Sequence, residues 1–563
     1  MMAGRLRWAG LAVALCVASM LAAVAIWAAS AQSEPALADR TANIQLLGVN
    51  DFHGNLKPPS TLVDGRTAGG AAYLHAYMNR YEGNEPDGTI RVHAGDMVGG
   101  SPLISSYFHD EPTVYAMNGM GFDVGTLGNH EFDEGGEEML RLINGGQRTG
   151  PQALKEDANG QLVNTSDPDF PGADFPYIAA NTILKSSGKT VLPPYQVVER
   201  DGVKVGFIGV TTEDTPNIVA PDAVEPFQIA DISDTVNLYA RQLQDQGVKA
   251  IVVLAHAGGQ YQSPAAATGE IIDETAEMNR LVDVVIAGHS HSYLNNRVNG
   301  KLIVEAFSFG TALDRVNMKV DRSTGDVVGS SAEVVRTFND KAAGIRPDPA
   351  TKRLVAEYDA RITPISERVV ATAATTISRT PDADEESPLG DLIADGQREF
   401  ANADFAFMNP GGIRDDIQAG EVTYGKLFSV QPFDNQVVRM DLTGDQIYRL
   451  LEQQFQVDQN GAPRTRILQI SGLKFSYDSR KPAGERITSV TLPDGTLIDR
   501  GATYTVAANS FIATGGDGFT VFKEGTNPQT IGGDLDALEE HVSTLPQPFG
   551  PPADYGQRIT KQG

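Results

Sequence analysis

The sequence predicts an α/β protein built in two blocks. Short apolar, β-rich runs alternate with helical patterns from about residue 43 to 333. A helical stretch over 347–362 interrupts that alternation. A second mixed block of strands and helices runs from about 370 to 559. The chain has 563 residues, 41% of them hydrophobic and 21% charged. That is enough to bury a core in each block and excludes a disordered polyanion.

The first element is an N-terminal targeting segment over 1–31. Arg5 and Arg7 precede an apolar run over 8–29 that only Gly10, Cys16 and Ser19 break, and Ala29-Ser30-Ala31 follows as a small-x-small site. This pattern reads as a secretory signal peptide. The run is also long enough for an uncleaved anchor helix, and Ala36-Leu37-Ala38 offers a second cleavage site. Cys16 has Leu15 before it where a lipidation motif needs a small residue, so it reads as apolar filler. The expected location is secreted, periplasmic or on the outer face of the envelope. Any membrane contact is expected only through that anchor.

Within the first block, 43–49 reads as a buried strand and 69–81 as a helix. Strands follow at 89–93, 123–127, 250–255 and 282–287. Residues 231–246 form a helical pattern with Asp231 or Ser233 as N-cap. Residues 199–210 read as a hairpin turning at Asp201-Gly202. The stretch 145–173, rich in Gly, Asn, Asp and Pro, reads as a surface excursion. In 347–362, Leu354, Tyr358 and Ile362 share one face of a connecting helix. The second block shows helices at 390–401 and 444–456, and strands at 404–408, 436–442 and 503–508.

Composition narrows the partners. There are 72 acidic residues against 45 Lys+Arg, a net charge of −27. That balance disfavours a nucleic-acid polymer or an anionic membrane surface as ligand. One cysteine permits no intramolecular disulfide and no cysteine-rich zinc site.

The chemistry gathers at strand ends. The first strand runs into Asp51 and His53, which strand alternation would put on one face. Asp96 lies just past the second strand, where α/β folds place ligands. Gly99 and Gly100 allow a sharp turn there. His93, inside that strand, reads as a packed histidine. Asn129 can offer an amide oxygen. His130 and Asp133 have the spacing for a carboxylate that orients an imidazole. Glu131 reads as a helix-start acid. His256 follows the fourth strand. His289 and His291, two apart, would share a face on an extended stretch. His53, His130, His256, His289 and His291 are thus five of only nine histidines, each directly after an apolar run. Asp51, His53, Asp96, Asn129, His256, His289 and His291 are too many N/O ligands for one tetrahedral ion. They fit two ions sharing a carboxylate.

The ordered set D-x-H, G-D-x-x-x-G-S, G-N-H-E-F-D, H-A-G-G and G-H-S-H resembles the dinuclear metallophosphoesterases. From about residue 42 to 545 the chain resembles the secreted bacterial 5′-nucleotidase / UDP-sugar hydrolase family, which also includes 2′,3′-cyclic nucleotide phosphodiesterases. The resemblance implies a four-layered α/β/β/α metallophosphoesterase domain over 42–340 and a connecting helix over 345–369. It implies an α+β substrate-binding domain over 370–560. One ion would take Asp51, His53, Asp96 and His291. The other would take Asp96, Asn129, His256 and His289, with Asp96 bridging. His130 and Asp133 match the catalytic dyad.

In the second block, Asn409 to Arg414 resemble the N-x-G-G-I-R motif, whose asparagine and arginine reach the nucleotide. The segment with Phe433 and Asn435 resembles the one supplying the first of two rings that sandwich the base. The segment with Phe511 and Asp517 resembles the one supplying the second ring and a ribose-binding carboxylate. One departure stands out. Relatives usually carry arginines shortly before Pro388. Here Asp382, Asp384, Glu385 and Glu386 precede it, with Arg379 the nearest upstream arginine, and local carboxylates would oppose a polyphosphate.

The resemblance implies phosphate release from nucleoside 5′-monophosphates by a hydroxide bridging two divalent ions, Zn²⁺ or Mn²⁺. His130 would contact a phosphoryl oxygen or protonate the leaving group. Alternatives are a 2′,3′-cyclic phosphodiesterase or UDP-sugar hydrolase, a broad surface phosphatase without base recognition, hydrolysis of sulfur-linked sulfate, and an inactive surface binding module. The expected ligand is a small nucleotide or phosphate ester.

Overall fold

A computed structural model describes residues 40–562, apart from 60–61, 86, 264–265, 434 and 458–462. The targeting segment and Cys16 lie outside the described residues. The strands that read as continuous apolar runs are those buried on both faces. In Ala250–His256 every residue is buried. They form two six-stranded sheets stacked face to face. The first has the order Val327–Arg336, Ala312–Asp321, Thr41–Val49, Thr89–His93, Val124–Thr126, Tyr177–Ile178. The second has the order Tyr293–Val298, Lys301–Ala306, Val284–Ala287, Ala250–His256, Val203–Thr211, Tyr195–Arg200. Leu46, Val92, Phe207, Leu254 and Ile286 fill the space between them.

Helices cover both outer faces. Ala71–Glu82, Glu111–Met120 and the connecting helix Pro349–Ser366 pack through Leu74, Met78, Met117 and Tyr358 on one side. Ile232–Asp245 and Glu270–Glu277 pack through Val236, Leu243 and Ile271 on the other. The result is the four-layered α/β/β/α arrangement. Local chemistry sets the ends. Asp231, not Ser233, caps its helix by accepting from the Asp234 amide at 2.7 Å. Asp201 and Gly202 turn the hairpin with φ of 46° and 71°, the geometry a two-residue turn requires.

Two expectations change. The helix expected over 444–456 ends at Glu452, and the β-favouring Phe455–Val457 pairs with Pro463–Thr465 as a strand. The excursion 145–173 carries a hairpin with an exposed Leu162. It is also anchored, because Ser166 Oγ donates to the buried Glu111 at 2.5 Å and Phe170 is buried.

The second block holds a five-stranded sheet in the order Gln469–Ser471, Phe405–Met408, Thr503–Asn509, Gln436–Thr443, Thr526–Gly533. Helices Pro388–Phe400 and Asp534–Thr544 pack on it through Leu389, Leu392 and Leu538. Gly444–Glu452 packs against a separate cluster that includes Phe407, Ile447 and Leu450. No helix among the described residues is long and apolar enough to cross a membrane.

Candidate active site

The parallel strands of both sheets deliver their C-terminal ends to one edge of the sandwich, and the seven candidate ligands meet there. Ligand atoms of Asp51, His53 and His291 lie within 4.8 Å of one another, and so do those of Asp96, His256 and His289. Asp96 stands between the groups. Its Oδ2 is 3.0 Å from His256 Nε2 and 3.6 Å from His53 Nε2. Asn129 Oδ1 lies 3.1 Å from His256 Nε2.

Strand alternation is not what makes these side chains converge. Asp51, His53, Asp96, His289 and His291 all have positive φ, between 45° and 76°. They sit on left-handed turns past the strand ends, a strained state for non-glycine residues. The turn also sends His289 and His291 into different groups, contrary to the shared face expected of an extended stretch.

Three buried side chains fasten these turns. Glu131 stands in the first turn of the 3₁₀ helix His130–Phe132, as a helix-start acid does, but it is buried. It accepts from the amides of Asp96 and Met97 at 2.9 Å each and of Gly128 at 2.5 Å, binding two ligand loops together. Glu305 accepts from Ser290 Oγ at 2.8 Å and from the Ser292 amide at 3.0 Å, so it holds the turn carrying His289 and His291. Asn50 donates to Asp51 Oδ2 and to the Phe307 carbonyl, both at 2.6 Å. Sequence reasoning missed Glu305 and Asn50. Asn50 adjoins a ligand, which was a usable signal, whereas nothing near Glu305 marks it.

Electrostatics strip the proton from three of these groups and leave one on a fourth. Burial works to raise the Asp51 carboxyl, yet His291 holds it down at about 2. Burial pushes His53 down to about 3 and His289 to about 4, leaving neutral imidazoles. Burial also opposes charge on His256, but the adjacent Asp96 draws it up to about 10. His93 packs edge-on among Phe122, Phe175 and Tyr177, as a core histidine does.

His130 and Asp133 flank this cluster on a 3₁₀ turn, with Nδ1 2.8 Å from Asp133 Oδ2. Burial works to lower the His130 pKa, yet Asp133 and Asp96 hold it above its ordinary value. Gly99 has φ of 78°, and a Cβ there would fall 2.5 Å from the His130 carbonyl and 2.8 Å from Asp133 Oδ2. Only glycine lets the loop pass this close.

A cavity of about 260 Å³ opens from the pair into the second domain. Asn129, His130, Asp133 and His289 line one end, and Asn409, Arg414, Phe433, Asn435, Phe511 and Asp517 are among the residues lining the remainder. The Phe433 ring lies nearly parallel to His130, at 12° and 5.8 Å between centroids. The Arg414 guanidinium sits 5.5 Å from the Phe433 ring. Asn435 Oδ1 accepts from Ser510 Oγ at 3.2 Å.

The expected opposition from the acids before Pro388 is absent, because they face elsewhere. Buried Glu386 accepts from the amides of Gly556, Arg558 and Ile559, and Glu385 pairs with Lys561 at 3.6 Å. None of the four acids is among the described residues lining the cavity. Arginines are also present. Arg379 lies close enough to Arg414 that, after burial, its charge is the next cause lowering the Arg414 pKa. Arg464 and Arg466 line the cavity as well, and no sequence spacing pointed to them.

Comparison with known proteins gives the family. Residues 44–293 match the calcineurin-like phosphoesterases, and residues 369–524 match the 5′-nucleotidase C-terminal domain. The cell wall protein Lmo0130 of Listeria monocytogenes is 35% identical over 551 residues, covering 89% of this chain and 67% of that protein. The chain belongs to the 5′-nucleotidase family of calcineurin-like phosphoesterases. Endonuclease YhcR of Bacillus subtilis is 38% identical over 519 residues, covering 90% of this chain but 40% of YhcR. Among solved structures, the 5′-nucleotidase precursor from Thermus thermophilus superposes with a TM-score of 0.75 at 27% identity, covering 93% of this chain and 100% of that one.

Calcineurin-like phosphoesterases use divalent metal ions, and the donor set of this chain fits such ions. His53 Nε2 and His291 Nε2 face each other at 3.2 Å beside the buried Asp51. Two imidazole nitrogens so placed can share at most one proton, whereas a cation satisfies both lone pairs. The ring nitrogens turned away are anchored, with His53 Nδ1 on the Gly99 carbonyl and His256 Nδ1 on the Ala94 carbonyl, both at 2.8 Å. Such contacts fix the ligating tautomer.

Proposed function

We propose that this phosphoesterase releases phosphate from nucleoside 5′-monophosphates outside the cytoplasm. The supporting observation is a single cavity that reaches from the His130–Asp133 pair to two phenylalanine rings and a buried carboxylate in the other domain.

Asp51, His53, Asp96 and His291 would hold one ion, and Asp96, Asn129, His256 and His289 the other. Mixed nitrogen and oxygen donors suit Zn²⁺ or Mn²⁺. Ions bound there supply Lewis acidity toward the phosphoryl oxygens and a water acidified toward neutrality. His130 donates Nδ1–H to Asp133, which leaves Nε2 for the phosphoryl oxygen or the departing ribose oxygen. Against burial, Asp133 and Asp96 hold the His130 pKa above its ordinary value, which favours the protonated form. Arg414 adds positive charge near the same end. Phe433 and Phe511 present ring faces to the base, worth roughly 1–3 kcal/mol per stacked base. Asp517 and Asn409 take the ribose hydroxyls. A net charge of −27 does not oppose an anionic substrate, because distant charges are screened and the local ions dominate. The apolar N-terminal run and the name of the Listeria relative, a cell wall protein, favour an envelope or secreted location.

A second reading has one observation in its favour. A larger cavity of about 660 Å³ shares His130, Asp133 and Phe433 with the first. It offers room for a second arm on phosphorus, as in a UDP-sugar or another diester. An assay panel of AMP, UDP-glucose, 2′,3′-cyclic AMP and p-nitrophenyl phosphate, with and without Mn²⁺ or Zn²⁺, separates the readings. AMP should give the highest kcat/KM. Equal kcat/KM for AMP and p-nitrophenyl phosphate would remove base recognition, and a preference for UDP-glucose would establish the second reading.

A further inference from the structure

Asp214 belongs to the metal domain, just past the strand Val203–Thr211, yet its charged partners lie in the other domain. Its Oδ2 is 2.6 Å from Arg464 Nη1 and 3.8 Å from Arg466 Nη2. Both arginines line the cavity. Arg466 continues the chain of contacts, with Nε 3.3 Å from Asp517 Oδ1 and Nη1 donating to Gln456 Oε1 at 2.8 Å. Gln456 Nε2 in turn donates to the Asp517 carbonyl at 2.6 Å. Asp517 Oδ2 accepts from Asn409 Nδ2 at 2.8 Å, and Asn409 Oδ1 accepts from Asn509 Nδ2 at 2.9 Å.

The geometry at Arg466 matters because of what a guanidinium does by default. It prefers a carboxylate in a two-pronged fork that engages both oxygens. Here Gln456 takes Nη1 and Asp214 draws Nη2 to its own side. Arg466 therefore meets Asp517 as an ion pair, with Nε at 3.3 Å, and not through a hydrogen-bonded two-pronged fork. A carboxylate has about four lone-pair positions, and Asn409 takes one on Oδ2, so positions remain on both oxygens. That is the pattern a vicinal diol fills.

We propose that Asp214 is a positioning residue for sugar recognition. By holding Arg464 and Arg466 from across the domain boundary, it keeps Asp517 open to the 2′,3′-diol of the nucleotide. The inference rests on the ribose-binding reading of Asp517. Without Asp214 the two guanidiniums face each other unscreened, and Arg466 is free to close its fork on Asp517 and compete with the diol. The metal domain thus contributes to choosing the sugar as well as to the chemistry at phosphorus.

The test uses the full-length Mn²⁺-loaded enzyme with AMP, 2′,3′-dideoxy-AMP and p-nitrophenyl phosphate. Loss of one hydrogen bond to a charged group predicts that Asp214→Ala raises KM for AMP about tenfold. Its kcat, and KM for the two substrates without a diol, should stay within about twofold. Asp214→Glu should recover most of the AMP effect, and Arg464→Met should reproduce it from the other side of the pair. An equal rise in KM for AMP and dideoxy-AMP would show an ion pair that only docks the domains, and would overturn the inference alone. So would an unchanged KM for AMP, or a glutamate variant no better than alanine. A wild-type enzyme that binds AMP and dideoxy-AMP equally would overturn the ribose reading of Asp517, and this inference with it.

Discussion

Five of the seven candidate metal ligands, Asp51, His53, Asp96, His289 and His291, have left-handed backbones, whereas among the six candidate substrate residues only Asp517 does. The metal half is therefore a strained assembly, and each such residue costs of order ~1–3 kcal/mol. Its strain is opposed by backbone N–H groups that donate to buried carboxyl oxygens, as at Glu131 and Glu305. The substrate half relies on amide-to-carboxylate contacts such as Asn409 to Asp517 and on ring packing. Such contacts can be exchanged one at a time. The metal half should fail as a unit toward every substrate, and the substrate half should fail selectively.

The largest expected effect lies at the join. His130→Ala should keep its metals, measured by elemental analysis, and lose about 10²–10⁴ in kcat toward AMP and p-nitrophenyl phosphate alike. Full activity would remove the dyad from the mechanism. Asp133→Asn tests the same pair through pH. Burial disfavours the charged imidazole, and Asp133 is the largest influence restoring it. Without that carboxylate the folded His130 pKa falls. Protonated His130 is then lost sooner as pH rises, so the alkaline limb of the pH–rate profile should move to lower pH. A limb that stays in place would assign it to another group.

Glu131→Gln comes next. The carboxylate accepts three amide hydrogens across the Asp96 and Gly128 loops. A glutamine turns one acceptor into a donor that faces an N–H. Supporting groups of this kind cost about 10–100-fold in metal affinity or activity when changed. The loss should appear with both substrates at limiting metal and shrink with excess Mn²⁺. A selective loss toward AMP would break the division between the halves.

That the seven candidate ligands gather at one place was legible for a physical reason. Each candidate follows an apolar strand that the fold must bury, so the strand end announces the residue beside it. What stayed hidden was the direction of each side chain. Alternation put Asp51 with His53 and His289 with His291, but left-handed turns decide both pairings, and no local pattern forecasts a strained turn. The fastening role of Glu131 stayed hidden because two of its partners lie 34 and 35 residues upstream. In the substrate half, motif segments located Phe433, Phe511 and Asp517. The charge balance was misjudged, because Glu385 and Glu386 turn toward the C-terminal strand while Arg464 and Arg466 arrive from a remote hairpin.

The smallest expected effect separates the two rings. A Cβ on Gly516 would fall 2.5–2.6 Å from the Phe511 ring, so that ring lies close against bare backbone within the substrate domain. Phe433 instead stacks on His130 and has the Arg414 guanidinium 5.5 Å from its ring. Phe511→Ala should then raise KM for AMP about tenfold, the low end of a stacking loss, with kcat and p-nitrophenyl phosphate kinetics within about twofold. Phe433→Ala should disturb kcat as well, because it frees the imidazole face and the guanidinium together. If both variants changed only KM, and by equal factors for AMP and p-nitrophenyl phosphate, neither ring would recognise a base. The cavity would then belong to a general phosphatase whose selectivity resides in the metal half.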